Sequence, residues 1–130
     1  MANGPARAEV WKEFVASRCN YPAADRLRAQ LAKAEFSQFC DCGCNSFAVR
    51  PSQDAPLLVT PDGGVGHRAI YTADFNLSDD RTLEIILFAD GTGNLDYIEV
   101  DCCANSYPVP DLIEADDQPF HTWAAEQLLS

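Results

Sequence analysis

The sequence predicts an α+β domain, in which two N-terminal helices pack on a mostly antiparallel sheet of about four to five strands and a short C-terminal helix follows. Apolar residues recur at helical spacing in the first quarter of the chain and alternate with period two afterwards. The 130 residues, 47 % of them hydrophobic, fit a single domain. Its predicted parts are a helical part at 6–34, the antiparallel sheet at 46–102, and an irregular segment with a short helix at 103–130.

Two amphipathic helices are predicted at the start of the chain. The first spans 6–18 and has four apolar residues at helical spacing: Val10, Trp11, Phe14 and Val15. The second spans roughly 22–34, with Pro22 in its first turn and one apolar stripe formed by Leu27, Leu31 and Ala34. Both helices are expected to cover the same face of the sheet.

The strand predictions rest on alternation and on turn residues. A strand begins at Phe47, and another spans 68–77, with Tyr71, Ala73, Phe75 and Leu77 on one face. The hairpin 82–101 turns at Asp90-Gly91-Thr92-Gly93-Asn94, and Leu83, Ile85 and Leu87 share a face of its first strand. Residues 122–129 are predicted to form the short C-terminal helix, with Phe120 and Trp123 as packing anchors.

Composition limits the classes of partner. The net charge is −11, and it is uneven: residues 1–50 carry seven Lys/Arg against five Asp/Glu, whereas residues 51–130 carry two against fifteen. Such a field repels phosphate groups, so neither nucleic acid nor an anionic membrane is expected as a partner, whereas a basic protein is. No apolar run is long enough to span a membrane, and the first residues lack a signal-peptide pattern. The expected location is the cytoplasm, where thiols stay reduced.

The cysteines form the main candidate site. Three of them alternate in Cys40-Asp41-Cys42-Gly43-Cys44, where Gly43 permits a tight bend. A structural zinc ion needs four Cys or His ligands, so these three thiols would need completion. The candidate metal ligands are Cys40, Cys42, Cys44, Cys102, Cys103 and His67. Inert, buried thiols are the favoured alternative to bound zinc, since free cysteine packs as a small apolar side chain, and redox chemistry is a third reading.

No catalytic site is predicted. The two histidines, His67 and His121, do not lie in a recognisable nucleophile motif, and no phosphate-binding glycine motif is present. Carboxylate pairs such as Glu99 with Asp101 are expected to be solvated, because acids are abundant in this half of the chain. An enzyme of an unrecognised type therefore ranks below a binding protein.

Two stretches resemble a family of small, uncharacterised bacterial proteins. The first is Cys42-Gly43-Cys44-Asn45-Ser46, which matches a Cys-Gly-Cys-x-Ser pattern. The second is the hairpin 87–100, with Phe88-Ala89-Asp90-Gly91 before the turn and Glu99-Val100 after it, followed by Pro108-Val109-Pro110. The resemblance covers roughly residues 40–112 and implies the α+β fold and a bacterial origin. That family has no established activity, so it implies no catalytic residues.

Two functional hypotheses follow from the sequence. The first is a small acidic interaction protein, for example an immunity-type protein that neutralises a basic toxin or nuclease. The second is a structural zinc domain built on the cysteines named above. The sequence leaves the partner, the oligomeric state and the distance between Cys102-Cys103 and residues 40–44 open.

Overall fold

The structure is a computed structural model that describes residues 2–41, 43–102 and 107–130. Within these residues, two helices precede six strands. The elements are α1 (Pro5–Arg18), α2 (Ala24–Ala32), β1 (Glu35–Ser37), β2 (Phe47–Arg50), β3 (His67–Asn76), β4 (Thr82–Asp90), β5 (Leu95–Cys102) and β6 (His121–Ala124). Helix α2 is two residues shorter at each end than predicted. Pro22 precedes the helix, Ala23 is its N-cap residue and Lys33 is its C-cap residue.

The strands form one sheet in the order β1-β2-β5-β4-β3-β6, and every neighbouring pair is antiparallel. This confirms the α+β class and the predicted hairpin, which is β4 and β5. The predicted number of strands is too low, since the described sheet has six. The two strands that the prediction did not include are β1 and β6, which lie at the two edges of the sheet.

The predicted C-terminal helix is wrong. Residues 121–124 form β6, which pairs with β3 through Ala124 opposite Tyr71 and Trp123 opposite Thr72. Further on, Leu128 makes a bridge with Val59. The edge of β3 offers backbone hydrogen bonds to this segment, whereas a helix of only eight residues is barely stable by itself. Aromatic and β-branched residues such as Trp123 and Thr122 also favour a strand.

Both helices pack on one face of the sheet, as predicted. Trp11 and Phe14 of α1 and Leu27 and Leu31 of α2 are buried in a single apolar cluster with strand residues. The ring centroids of Phe14 and Phe75 lie 5.0 Å apart in an edge-to-face contact. The strand residues predicted to share this face are buried: Tyr71, Ala73, Phe75, Leu77, Leu83, Ile85 and Leu87.

Two buried polar side chains connect the helices to distant segments. Arg7 of α1 donates hydrogen bonds to Asn45 Oδ1 at 2.8 Å and to the carbonyl oxygens of Pro110 and Asp111 at 2.7 and 2.9 Å. Gln30 of α2 accepts a hydrogen bond from the Leu95 backbone N–H at 2.8 Å, at the start of β5. These contacts fix the helices relative to the sheet and to the segment 107–120. Neither described helix has the length and apolar content that crossing a membrane requires.

Candidate functional site

The sheet face that points away from the helices is partly accessible to solvent, and we call it the outer face. Along β4 the residues alternate, so that Leu83, Ile85 and Leu87 are buried while Glu84, Ile86 and Phe88 keep partial exposure. The register across the strands places these residues on the outer face: Thr72, Asp74, Glu84, Ile86, Phe88, Tyr97, Glu99, Asp101, His121 and Trp123.

Four carboxylates lie next to one another on the outer face, and we call them the acidic cluster: Asp74, Glu84, Glu99 and Asp101. Glu84 in β4 lies directly opposite Asp74 in β3 and directly opposite Asp101 in β5. Glu99 precedes Asp101 by two residues in β5 and therefore shares its face. Like charges directly opposite each other on neighbouring strands destabilise a sheet. The cluster is therefore a feature that the fold tolerates at a cost in stability.

The surroundings of the acidic cluster favour protonated carboxyl groups. Burial is the main reason why the pKa of Glu84 rises to about 7, and a hydrogen bond to Asp74 and the neighbouring negative charges add to the rise. Burial also raises the pKa of Glu99, helped by the charge of Asp101 and a hydrogen bond to it. In their protonated forms, Glu84 donates a hydrogen bond to Asp74 and Glu99 donates one to Asp101.

Asp101 is the most buried member of the cluster, with only 5 % of its surface exposed. Burial raises its pKa, although the hydrogen bond from Glu99 opposes that rise. Its Oδ1 atom has no hydrogen-bond partner among the described residues. A buried carboxylate oxygen without a donor is unfavourable, so Asp101 adds to the cost of the acidic cluster in the folded protein.

No lysine or arginine neutralises the acidic cluster within the described part of the chain. The ion pairs of Arg50, Arg68 and Arg81 are with acids outside the cluster, and so are those of the helices. Among the described residues, two histidines act on the cluster: His121 Nδ1 lies 3.0 Å from Asp74 Oδ2, and the charge of His67 opposes the rise in the pKa of Glu99. The cluster therefore lacks the permanent positive charge that usually accompanies buried carboxylates.

An exposed aromatic side chain lies near the acidic cluster on the side of β6. Trp123 is 46 % exposed and lies opposite Thr72 in the register, while Phe120, immediately before β6, is 57 % exposed. The prediction that these two residues are packing anchors is wrong, because each keeps about half of its surface exposed. The register places Trp123 on the outer face and does not place Phe120 there. Large exposed aromatics beside charged groups are typical of protein-binding surfaces.

The predicted cysteine site is only partly described. Cys40 and Cys44 line one cleft of about 270 Å³ near Asn3 and Pro108. Cys40 is disulfide-bonded, so the expectation that the thiols are reduced is wrong at this residue. Cys42 and Cys103 lie outside the described residues.

The other two predicted ligands lie far from each other. Cys102 is buried opposite Leu83 at the start of β4, whereas His67 lies opposite Asp90 at the end of that strand. Seven residues of extended chain separate these positions by about 23 Å. His67 instead lies within hydrogen-bonding distance of Asp96, with 2.8 Å between its Nδ1 and Asp96 Oδ2. In the described ranges, no group of three or more potential ligands is placed to hold a metal ion, and the zinc site stays a prediction.

Sequence reasoning overlooked the acidic cluster, although part of the signal was visible. Glu99 and Asp101 were expected to be solvated, but Asp101 is buried and both take part in the cluster. The available signal was the alternation of residues along β4. Glu84 lies between Leu83 and Ile85 in the sequence, so it points to the face opposite the apolar face, which was predicted correctly. What the pattern lacked was the register that sets Glu84 beside Asp74 and Asp101.

Known proteins add nothing to this geometry. Comparison of the chain with models of protein families, with curated proteins and with solved structures finds no match. The resemblance to small bacterial proteins therefore stays a prediction, and any proposal about function has to be argued from the residues of the outer face.

Proposed function

We propose that this chain is an interaction protein that binds a basic protein partner through its outer face. The observation that carries the proposal is the acidic cluster, in which Glu84 lies directly opposite both Asp74 and Asp101 and no lysine or arginine among the described residues pairs with them. A positively charged side chain from a partner, placed over the partly exposed Glu84 and Glu99, would reduce the repulsion between these carboxylates.

The raised pKa values in the acidic cluster predict how a bound cation would change its ionisation. Burial and the neighbouring negative charges raise the pKa of Glu84 and of Glu99 and so favour their protonated forms. A partner cation near the cluster would favour ionisation, so binding should release protons at pH values below about 7. The fifteen carboxylates of residues 51–130 add a long-range field that would accelerate encounter with a basic protein.

The arrangement of charged and aromatic side chains on the outer face also suits protein binding. Charged groups in its middle would orient the partner, while Trp123 would provide apolar contact area at the border. Aromatic side chains contribute much of the binding energy in such interfaces, and charged pairs contribute mostly specificity and association rate. Neutralisation of a basic toxin or nuclease is one biological form that this interaction could take.

The test compares three immobilised proteins: the wild type, the double variant Glu84→Gln/Asp101→Asn, and the control Asp79→Asn/Asp80→Asn. Both variants lose two negative charges, but the control charges lie in the exposed turn between β3 and β4. Each protein is incubated with a lysate of the organism that encodes it, and circular dichroism verifies that both variants are folded. We expect a basic protein to be retained by the wild type and the control, and to be lost from the cluster variant.

Salt provides the second criterion in the same experiment. The retained protein should elute when the ionic strength rises from 0.05 to about 0.5 M, since screening shortens the range of charge interactions. Equal retention on the wild type and the cluster variant, or elution that salt does not promote, would contradict the proposal.

A further inference from the structure

We propose that the basic partner contributes an extended segment that pairs with β6 as a further strand of the sheet, with a β-branched side chain beside Trp123. The segment would bind to the edge of β6 that faces away from β3, which we call the open edge. This inference rests on the proposed function, because it names the form in which the basic partner binds. It assigns a binding site to the backbone of the partner, in addition to the attraction between its charges and the acidic cluster.

The open edge carries backbone groups that pair with no other strand of the described sheet. The order of the strands places β6 at the end of the sheet, with β3 as its neighbour. Ala125 donates a hydrogen bond to the carbonyl oxygen of Ile70 at 2.9 Å. Because the direction of the backbone groups alternates in an antiparallel pair, those of Trp123 also point to β3, whereas those of Thr122 and Ala124 point away from it. All four residues of β6 are exposed, so a partner has access to these groups.

The two edges of the sheet differ in their protection against a further strand. Sheet edges of natural proteins are commonly short, or carry charged side chains or proline, and these features prevent pairing with other chains. The edge strand β1 has three residues, and its Glu35 is paired with Arg50 at 2.6 Å. By contrast, β6 contains neither proline nor a lysine, arginine or acidic side chain. The open edge is therefore the one at which an added strand would meet the least obstruction.

Charge favours a basic segment over a second copy of this chain as the occupant. Each copy has a net charge of −11, and pairing at the open edge would bring two acidic clusters together. Asp74, a member of the cluster, lies directly opposite His121 in β6. The backbone of an added residue opposite His121 would lie two strand spacings, about 10 Å, from that of Asp74. That is about one Debye length at physiological ionic strength, so a lysine or arginine at this position would still be attracted.

Trp123 determines which side chain of the added strand would be favourable. Its side chain is 46 % exposed, and it shares the outer face with His121, two residues earlier. The residue directly opposite Trp123 in the added strand would have its Cβ atom about 5 Å from that of Trp123. Cross-strand pairs of an aromatic and a β-branched residue stabilise antiparallel sheets. The expected segment therefore has a valine or isoleucine two residues from a lysine or arginine.

The test is a titration of the ¹⁵N-labelled protein, followed by NMR, with the peptide acetyl-Thr-Lys-Thr-Val-Thr-Lys-Thr-amide. In an antiparallel pairing with valine opposite Trp123, the two threonines that flank valine direct their N–H groups to Thr122 and Ala124. One control peptide is N-methylated at these two threonines, and the other at the two lysines, whose N–H groups point away from β6. All three peptides have the same side chains and the same charge.

We expect the unmodified peptide and the lysine-methylated peptide to shift the backbone amides of Thr122 and Ala124 and the indole N–H of Trp123. The threonine-methylated peptide should bind about ten-fold more weakly, because two backbone hydrogen bonds are lost. In the protein, Ala124→Pro removes an N–H group that points away from β3 and should weaken binding of the unmodified peptide, whereas Ala124→Ser keeps this group and should preserve binding. Unchanged amide signals of β4 and β5 verify that both variants are folded.

Equal binding of the two methylated peptides would overturn strand pairing at the open edge. Shifts at Glu84 and Glu99 without shifts in β6 would overturn it too, and would leave the basic partner standing. Shifts of Thr122 and Ala124 that depend on protein concentration without peptide would identify a second copy as the occupant and overturn the inference. Absence of shifts with any peptide would also overturn it, and the experiment with the lysate then decides the proposed function separately.

Discussion

Replacing Glu84 with glutamine should make the protein more stable at pH 8 and leave its stability nearly unchanged at pH 4.5. Glutamine keeps the shape of the side chain and can donate the hydrogen bond to Asp74 that the protonated carboxyl group donates. It removes the charge that the wild type acquires at high pH. The substitution therefore isolates the electrostatic cost of ionising one carboxyl group in the acidic cluster.

The magnitude follows from the pKa of Glu84, which rises from 4.5 to about 7 in the folded protein. Below pH 4.5 the group is protonated in both states, so it does not affect the free energy of unfolding. Between these two values the folded state holds a proton that the unfolded state has lost, and stability falls as the pH rises. At about 1.4 kcal/mol per pKa unit, the full loss is at most about 3.5 kcal/mol. Solvent screening of this partly exposed group reduces the expected effect to about 1–2 kcal/mol.

The assay is urea denaturation at pH 4.5, 6 and 8, followed by the fluorescence of the buried Trp11. Glu126→Gln, which removes one negative charge from an exposed residue outside the cluster, serves as the control and should change the free energy of unfolding by less than about 0.5 kcal/mol at each pH. If Glu84→Gln changes stability by the same amount at pH 4.5 and pH 8, or destabilises the protein at pH 8, the reasoning about the acidic cluster is wrong.

Three further predictions concern the buried polar groups and a thiol. Arg7→Met should lower the free energy of unfolding by about 2–4 kcal/mol, because Asn45 and two backbone carbonyl groups lose a charged donor. A loss below about 0.5 kcal/mol in urea denaturation would contradict this role. Gln30→Leu should lower the free energy of unfolding by about 1–3 kcal/mol, since it leaves the buried N–H of Leu95 without its acceptor. An unchanged midpoint of urea denaturation would refute this prediction. Burial raises the pKa of Cys19 to about 12, so Cys19→Ala should leave the number of thiols titrated by a disulfide reagent in the native protein unchanged and lower it by one in denaturant.

Local features of this fold can be predicted from the sequence better than features that depend on contacts between distant segments. The apolar face of β4 was predictable because Leu83, Ile85 and Leu87 alternate strictly and the glycines between β4 and β5 mark a turn. The strand β6 was not predictable in the same way, because Trp123 forms a strand only where the edge of β3 is available to it. Propensity alone does not decide short segments of this kind.

The candidate site depends on register even more strongly. Asp74, Glu84 and Asp101 come from three strands, and a shift of one residue in either pairing would move one of them to the other face of the sheet. Acidic residues are so frequent in this half of the chain that no single pair attracts attention. The cysteine spacing, by contrast, is conspicuous in the sequence, yet the described residues place Cys102 and His67 at opposite ends of β4.

The stability of the fold and the proposed binding make opposite demands on the acidic cluster. A carboxylate that served only the fold would be paired with a basic residue or exposed to water, and its removal would destabilise the protein. Glu84 is expected to behave in the opposite way at pH 8, where its removal should stabilise the protein and weaken the binding of the basic partner. Residues at binding sites often carry such a trade-off, because their unfavourable interactions are relieved only by the partner. A variant that gains stability and loses binding would therefore support a binding role for the cluster, whereas a loss of both would indicate that Glu84 serves the fold alone.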